Sequence, residues 1–77
     1  MLKNLVECMA KALVDNSDAV SVKETEGENS SVLELSVAKE DLGKVIGREG
    51  RNVNAMRTIL SGVSAKLHKR AILEVIE

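Results

Sequence analysis

The chain contains no phenylalanine, tyrosine or tryptophan. RNA-recognition-motif and cold-shock folds stack bases on aromatic rings, so neither is expected here. There is one cysteine, Cys8, and hence no internal disulfide. One cysteine with one histidine, His68, assembles no metal site unless carboxylates join it. Glu24, Glu26 and Glu28 alternate with Thr25 and Gly27 and lack the spacing of a calcium loop. No metal or other cofactor is therefore expected. No apolar run approaches the roughly 20 residues of a membrane span. Glu7 and Lys11 interrupt any signal-peptide core, so a cytoplasmic location away from membranes is expected. Gly43 is followed five positions later by Arg48, not by the Gly-Lys pair of a nucleotide-hydrolysing phosphate loop, and no G-x-G-x-x-G is present. With no recognisable nucleophile motif and little room for a pocket, an enzyme is not expected.

What remains is a chain of 77 residues, 44% hydrophobic and 30% charged. That is the composition of a globular protein, and residues 1–77 are read as one domain. A domain of this size buries only about 60% of its unfolded surface, so the core is thin. The net charge of −1 hides an asymmetry. Residues 1–38 carry three lysines against seven acids, whereas residues 39–77 carry eight basic residues, including every arginine, against five acids. The second half is compatible with a nucleic-acid face on an otherwise neutral module.

Periodicity orders the elements. Leu2, Leu5, Val6, Met9 and Leu13 recur at helical spacing, predicting an amphipathic helix over 2–14 that Asp15-Asn16-Ser17-Asp18 stops. Cys8 is placed on its apolar side as a small buried hydrophobe. Val20 and Val22, then Leu33, Leu35 and Val37, alternate with polar residues and predict an antiparallel hairpin around Glu26-Gly27-Glu28-Asn29. Leu42, Val45 and Ile46 return to helical spacing, as do Val53, Met56, Leu60 and Val63. The polar stretch Lys66 to Arg70, with His68 in a solvated turn, precedes the β-branched run Ala71 to Ile76, which reads as a strand. The order is α-β-β-α-α-β. If the second and third strands are parallel neighbours, a right-handed crossover puts both middle helices on one face. The first helix must join them, giving an α/β (α+β) two-layer sandwich with a three-stranded mixed sheet and one bare face.

Between the middle helices lies Val45-Ile46-Gly47-Arg48-Glu49-Gly50-Arg51-Asn52-Val53. A tight helix-to-helix turn exposes amides at the start of the second helix, where free N–H donors and the helix dipole favour an anion. Gly47 and Gly50 present no Cβ to obstruct a phosphate, and Lys44, Arg48, Arg51 and Arg57 can surround it with positive charge. Gly47 has an alternative reading as an ordinary left-handed helix terminator. The motif and its position after β-α and before α-β resemble a KH domain, whose G-x-x-G loop clamps a single-stranded nucleic-acid backbone. The whole chain resembles the type II arrangement and the small bacterial KhpA-type KH proteins. Lys11-Ala12-Leu13-Val14-Asp15-Asn16, Val20-Ser21-Val22 and Leu73-Glu74-Val75-Ile76-Glu77 also carry the likeness.

The resemblance implies a single-stranded RNA binder of chaperone or regulatory type, often dimeric, with a second and larger KH-domain protein as partner. Self-association would bury further apolar area on a thin core, and the sheet edge or the C-terminal strand is the expected contact. Glu49 departs from the usual basic pattern, though a similar Gly-Arg-Glu-Gly-Arg-Asn loop occurs in the KH module of ribonuclease Y. Without aromatic rings, bases would rest on aliphatic side chains. Val45, Ile46, Val53 and residues near Ile72 are the candidates, though each of them also reads as an ordinary core residue. The site is thus expected at Lys44, Val45, Ile46, Gly47, Arg48, Glu49, Gly50, Arg51, Asn52, Val53 and Arg57. A protein-interaction module, with RNA contact secondary, is the competing reading.

Overall fold

A computed structural model of the chain describes residues 2–76; Met1 and Glu77, the last residue of the terminal run, lie outside them. The elements follow the expected order: α1 (Leu2–Leu13), β1 (Ser21–Glu26), β2 (Ser30–Ser36), α2 (Leu42–Ile46), α3 (Arg51–Lys66) and β3 (Arg70–Val75). One-turn 3-10 segments at Ser17–Ala19, Lys39–Asp41 and Arg48–Gly50 join them.

The sheet runs β1-β2-β3, with β1 antiparallel and β3 parallel to the central β2. The period-two pattern of β2 decides which face is covered. Ser31, Leu33 and Leu35 are fully buried, while Ser30, Val32, Glu34 and Ser36 between them are half-buried. Their register partners Val22 on β1 and Leu73 on β3 are buried on the same side. The opposite face stays open, with Lys23 and Ile72 exposed on it. As expected, all three helices pack on one side. Leu2, Val6 and Ala10 of α1 meet Val45 of α2 and Val53, Met56 and Leu60 of α3 over the two sheet leucines.

Cys8 corrects the sequence reading, for its side chain is exposed. At 100° per residue, position 8 lies on the far side of α1 from Val6 and Ala10. It sits in a shallow depression with Asn4, Glu7 and Lys11. At the other end of the chain, α3 ends at Lys66, and His68 beyond it is exposed and in the left-handed region at φ 57°. The amides of His68 and Lys69 bond back to the Ala65 and Ser64 carbonyls at 3.2 and 2.9 Å. Lys69 then reaches Glu26 of the hairpin at 3.3 Å, a surface pair worth about 0–1 kcal/mol.

Ser31 is an unsatisfied group in this core: its hydroxyl is buried without a hydrogen-bond partner among the described residues. A buried orphan hydroxyl costs more than the methyl group that could replace it. Ser31→Ala should therefore raise unfolding free energy by about 1 kcal/mol, read as a higher urea midpoint at unchanged slope. A drop would mean that the hydroxyl has a partner after all.

Candidate nucleic-acid interface

The loop begins where α2 runs out of chain. The Gly47 amide closes the helix on the Gly43 carbonyl at 2.8 Å, and the backbone then swings through three left-handed residues. Gly47 has φ 76° and ψ 174°, Glu49 has φ 58° and ψ 26°, and Gly50 has φ 76° and ψ 14°. The Gly50 amide bonds the Gly47 carbonyl at 3.2 Å, and α3 starts at once.

The two glycines are needed for different reasons. At Gly50 only the backbone angle favours glycine, since an added Cβ would meet nothing closer than Asn54 Nδ2 at 3.6 Å. At Gly47 a Cβ would also lie 2.7 Å from Asn52 Cγ and 2.9 Å from both its Cβ and its amide nitrogen. Glu49 tolerates the same region at a cost of roughly 1–2 kcal/mol.

Among the described residues, the amides of Arg48 and Glu49 have no backbone acceptor. The first turn of α3 carries neither a side-chain cap nor an acidic residue. The Arg51 amide bonds the Arg48 carbonyl, but no side chain caps the positive end of this sixteen-residue helix beside the loop. Arg48, Glu49 and Arg51 are exposed around it, and among the described residues none of the three is ion-paired.

The other two expected cations are engaged elsewhere. Lys44 Nζ bonds Asp15 Oδ2 and, at 3.2 Å, Asp41 Oδ1. Asp41 is fully buried and also accepts the amides of Asn16 at 3.0 Å and Asp15 at 3.4 Å. One carboxylate therefore joins the end of α1 to the start of α2. Arg57 is exposed, but its Nη2 donates to the Leu73 carbonyl at 3.2 Å and laces α3 to β3.

The apolar candidates divide as well. Val45 and Val53 are core residues, the first fully buried and the second nearly so, because both lie on the inward stripes of their helices. No side-chain surface is left on them for a base. Ile46 is partly buried against the same core. Ile72 projects from the open face of β3 at 40% exposure.

Asn52, expected at the ligand, is half-buried and turns back to α2: its Nδ2 donates to the Lys44 carbonyl at 2.7 Å. The structural parts of Asp41 and Asn52 were missed from the sequence. An acid one residue ahead of a helix suggests a cap, yet Asp41 caps no amide of α2. Its partners are 25 and 26 residues away, and no local pattern signals that.

Comparison with known proteins supplies the context for this loop. The family model for the KhpA/KhpB KH domain matches residues 3–75. "RNA-binding protein KhpA" of Aquifex aeolicus is 53% identical over 76 residues, covering 99% of this chain and 96% of that protein. The protein of the same name from Clostridium acetobutylicum is 49% identical over 75 residues, covering 97% of this chain and all of the other. Both are named as RNA binders, not as enzymes. Among solved structures, Aquifex aeolicus Era superposes with a TM-score of 0.64 at 22% identity, over 96% of this chain and 29% of that one. At that identity the likeness concerns the fold alone.

The acid cluster predicts a pH response. Hydrogen bonding from the Asn16 amide, opposed by burial and aided by the Asp15 amide and Lys44, holds the Asp41 carboxyl below its usual 3.8. Its contribution to stability is thus complete above that value and lost as pH falls through the depressed native one. Asp15 and then Asp41 raise the Lys44 amine above 10.5, so that contribution fades only in strong alkali. Asp41→Asn should lower the thermal midpoint at pH 7, and the gap to the parent should narrow as pH drops below 3.8. Midpoints from circular dichroism at several pH values check this; a gap independent of pH would mean that the ionised carboxylate is not what the fold uses.

Proposed function

The chain belongs to the KhpA/KhpB KH-domain family, and on that premise we propose that it binds single-stranded RNA by seating the sugar-phosphate backbone on the Gly47–Gly50 loop. The observation that carries the reading is the juxtaposition, among the described residues, of unbonded Arg48 and Glu49 amides, a start of α3 without a side-chain cap and two unpaired arginines at one bare turn. Phosphate oxygens accept from the amides, and the helix dipole and the guanidinium groups of Arg48 and Arg51 supply the charge. Glu49 directs its backbone toward the ligand and its carboxylate toward solvent. Lys44, Val45, Asn52 and Val53 form the frame of the site rather than its contact surface. Bases then lie along β3, where Ile72 offers an aliphatic surface in a chain without aromatic rings.

The whole chain acts as one KH unit in this reading, working in the cytoplasm as an RNA chaperone or post-transcriptional regulator. Its protein partner is a second copy or a larger KH protein, as the KhpA/KhpB pairing in the family description suggests. One observation favours assembly as a function in its own right. Met9, Ala12 and Leu13 of α1 and Ala55, Met56 and Ile59 of α3, with Asn52 at one end of the lining, form a mostly apolar groove of about 240 Å³, with Ile59 47% exposed. This groove lies on the helical layer, away from the sheet edge expected from the sequence.

Salt dependence tests the RNA reading. Two phosphate contacts give a slope of log affinity against log salt of about −1.4 for a single strand, whereas four would give about −2.8. The parent should show the shallower slope, Lys44→Gln should leave it unchanged, and Arg48→Gln with Arg51→Gln should bring it close to zero. Crosslinking to cellular RNA should collapse in the Arg48→Asp, Glu49→Asp variant while partner binding persists. Undiminished crosslinking there would remove the loop from the interface and leave assembly as the function.

A further inference from the structure

We propose that Asn52 is the positioning residue that gives the loop its anion-receiving shape, an inference that rests on the loop being the seat of an RNA backbone. Asn52 is the second residue of α3, yet it does not cap its own helix. Its carboxamide reaches back to the Lys44 carbonyl at 2.7 Å, one of the last carbonyls of α2, which the short helix cannot satisfy internally. The side chain is a C-terminal cap delivered from the following helix.

The same side chain fills the space over Gly47, with Cγ and Cβ at 2.7 and 2.9 Å from where a glycine Cβ would stand. One residue therefore accounts for two features of the loop. It sets how closely the end of α2 approaches the start of α3, and it makes glycine obligatory at position 47 on steric grounds as well as through φ. With the two helix ends locked, the Arg48 and Glu49 amides between them are held in place without a backbone acceptor among the described residues. Preorganised donors bind an anion without first being ordered. Alanine provides no donor, and serine is too short to reach the Lys44 carbonyl.

The test uses the full chain, a short labelled single-stranded oligoribonucleotide, and the variants Asn52→Ala and Asn52→Ser. Both should bind RNA roughly three- to tenfold more weakly, the range of one neutral hydrogen bond. The salt slope should match the parent, because no cation has been removed. In RNA-free protein the amides of Gly47 and Gly50 should exchange faster while core amides of β2 keep their protection, a local effect that general destabilisation would not produce. In a double-mutant cycle the effect of Asn52→Ala should vanish on a Gly47→Ala background, where the loop is already displaced.

Unchanged loop exchange in the free variants would overturn the inference even if affinity fell, since Asn52 would then be touching RNA directly. Faster exchange with affinity within twofold of the parent would overturn it too, because loop shape would not be setting affinity. If parental affinity proves independent of Arg48 and Arg51, the RNA reading of the loop fails and takes the inference with it. That outcome is read from the Arg48→Gln, Arg51→Gln variant with Asn52 intact, apart from any Asn52 variant.

Discussion

A helix of five residues has no stability of its own, and the site depends on such a helix keeping its place. Lys44 is the residue through which α2 is held. Its ammonium group is fixed by Asp41 and Asp15 at the end of α1, and its carbonyl by Asn52 at the start of α3. Val45 beside it is sunk in the core. Side chain, backbone and neighbour thus tie one turn of helix to three other parts of the fold. The left-handed path through Gly47, Glu49 and Gly50 follows from where those ties leave the two helix ends.

This arrangement separates charge that holds the protein together from charge left for a ligand. Of the four cations near the loop, Lys44 is bound to carboxylates and Arg57 to a strand carbonyl, while Arg48 and Arg51 remain in solvent. A chain with a net charge of −1 cannot draw RNA by its overall field. Any attraction must come from the local geometry of a few amides, a helix end and two arginines. On the proposed reading, modest affinity with shallow salt dependence is the physical consequence.

Much of this was legible in the sequence, and the reason lies in periodicity. The alternation of Leu33 and Leu35 with polar neighbours fixed both the hairpin and the buried face of β2, and the two helical runs around the glycines fixed the turn. The parallel pairing of β2 with β3, only a condition in the sequence reading, is what the structure shows. The failures share one cause, which is that residue type does not say which way a side chain turns. Cys8 reads as a hydrophobe but lies two positions from the buried stripe of α1. Val45 and Val53 border the motif and yet face inward, while Lys44 has the chemistry of a phosphate ligand and an acid 29 residues away that claims it. Asn52 was placed correctly at the loop, but only three-dimensional contact shows that it faces Lys44 and Gly47.

On the proposed reading, the bare turn between α2 and α3 receives an anionic backbone through its amides. Titrating the isotopically labelled protein with a short single-stranded oligoribonucleotide and following every backbone amide by NMR addresses it directly. The account predicts the largest, saturable shifts at Arg48 and Glu49 and through the first turn of α3, with smaller ones along β3 near Ile72. Shifts confined to the bare face of β1 and β2 or to the groove around Ile59, with the turn unmoved, would contradict it.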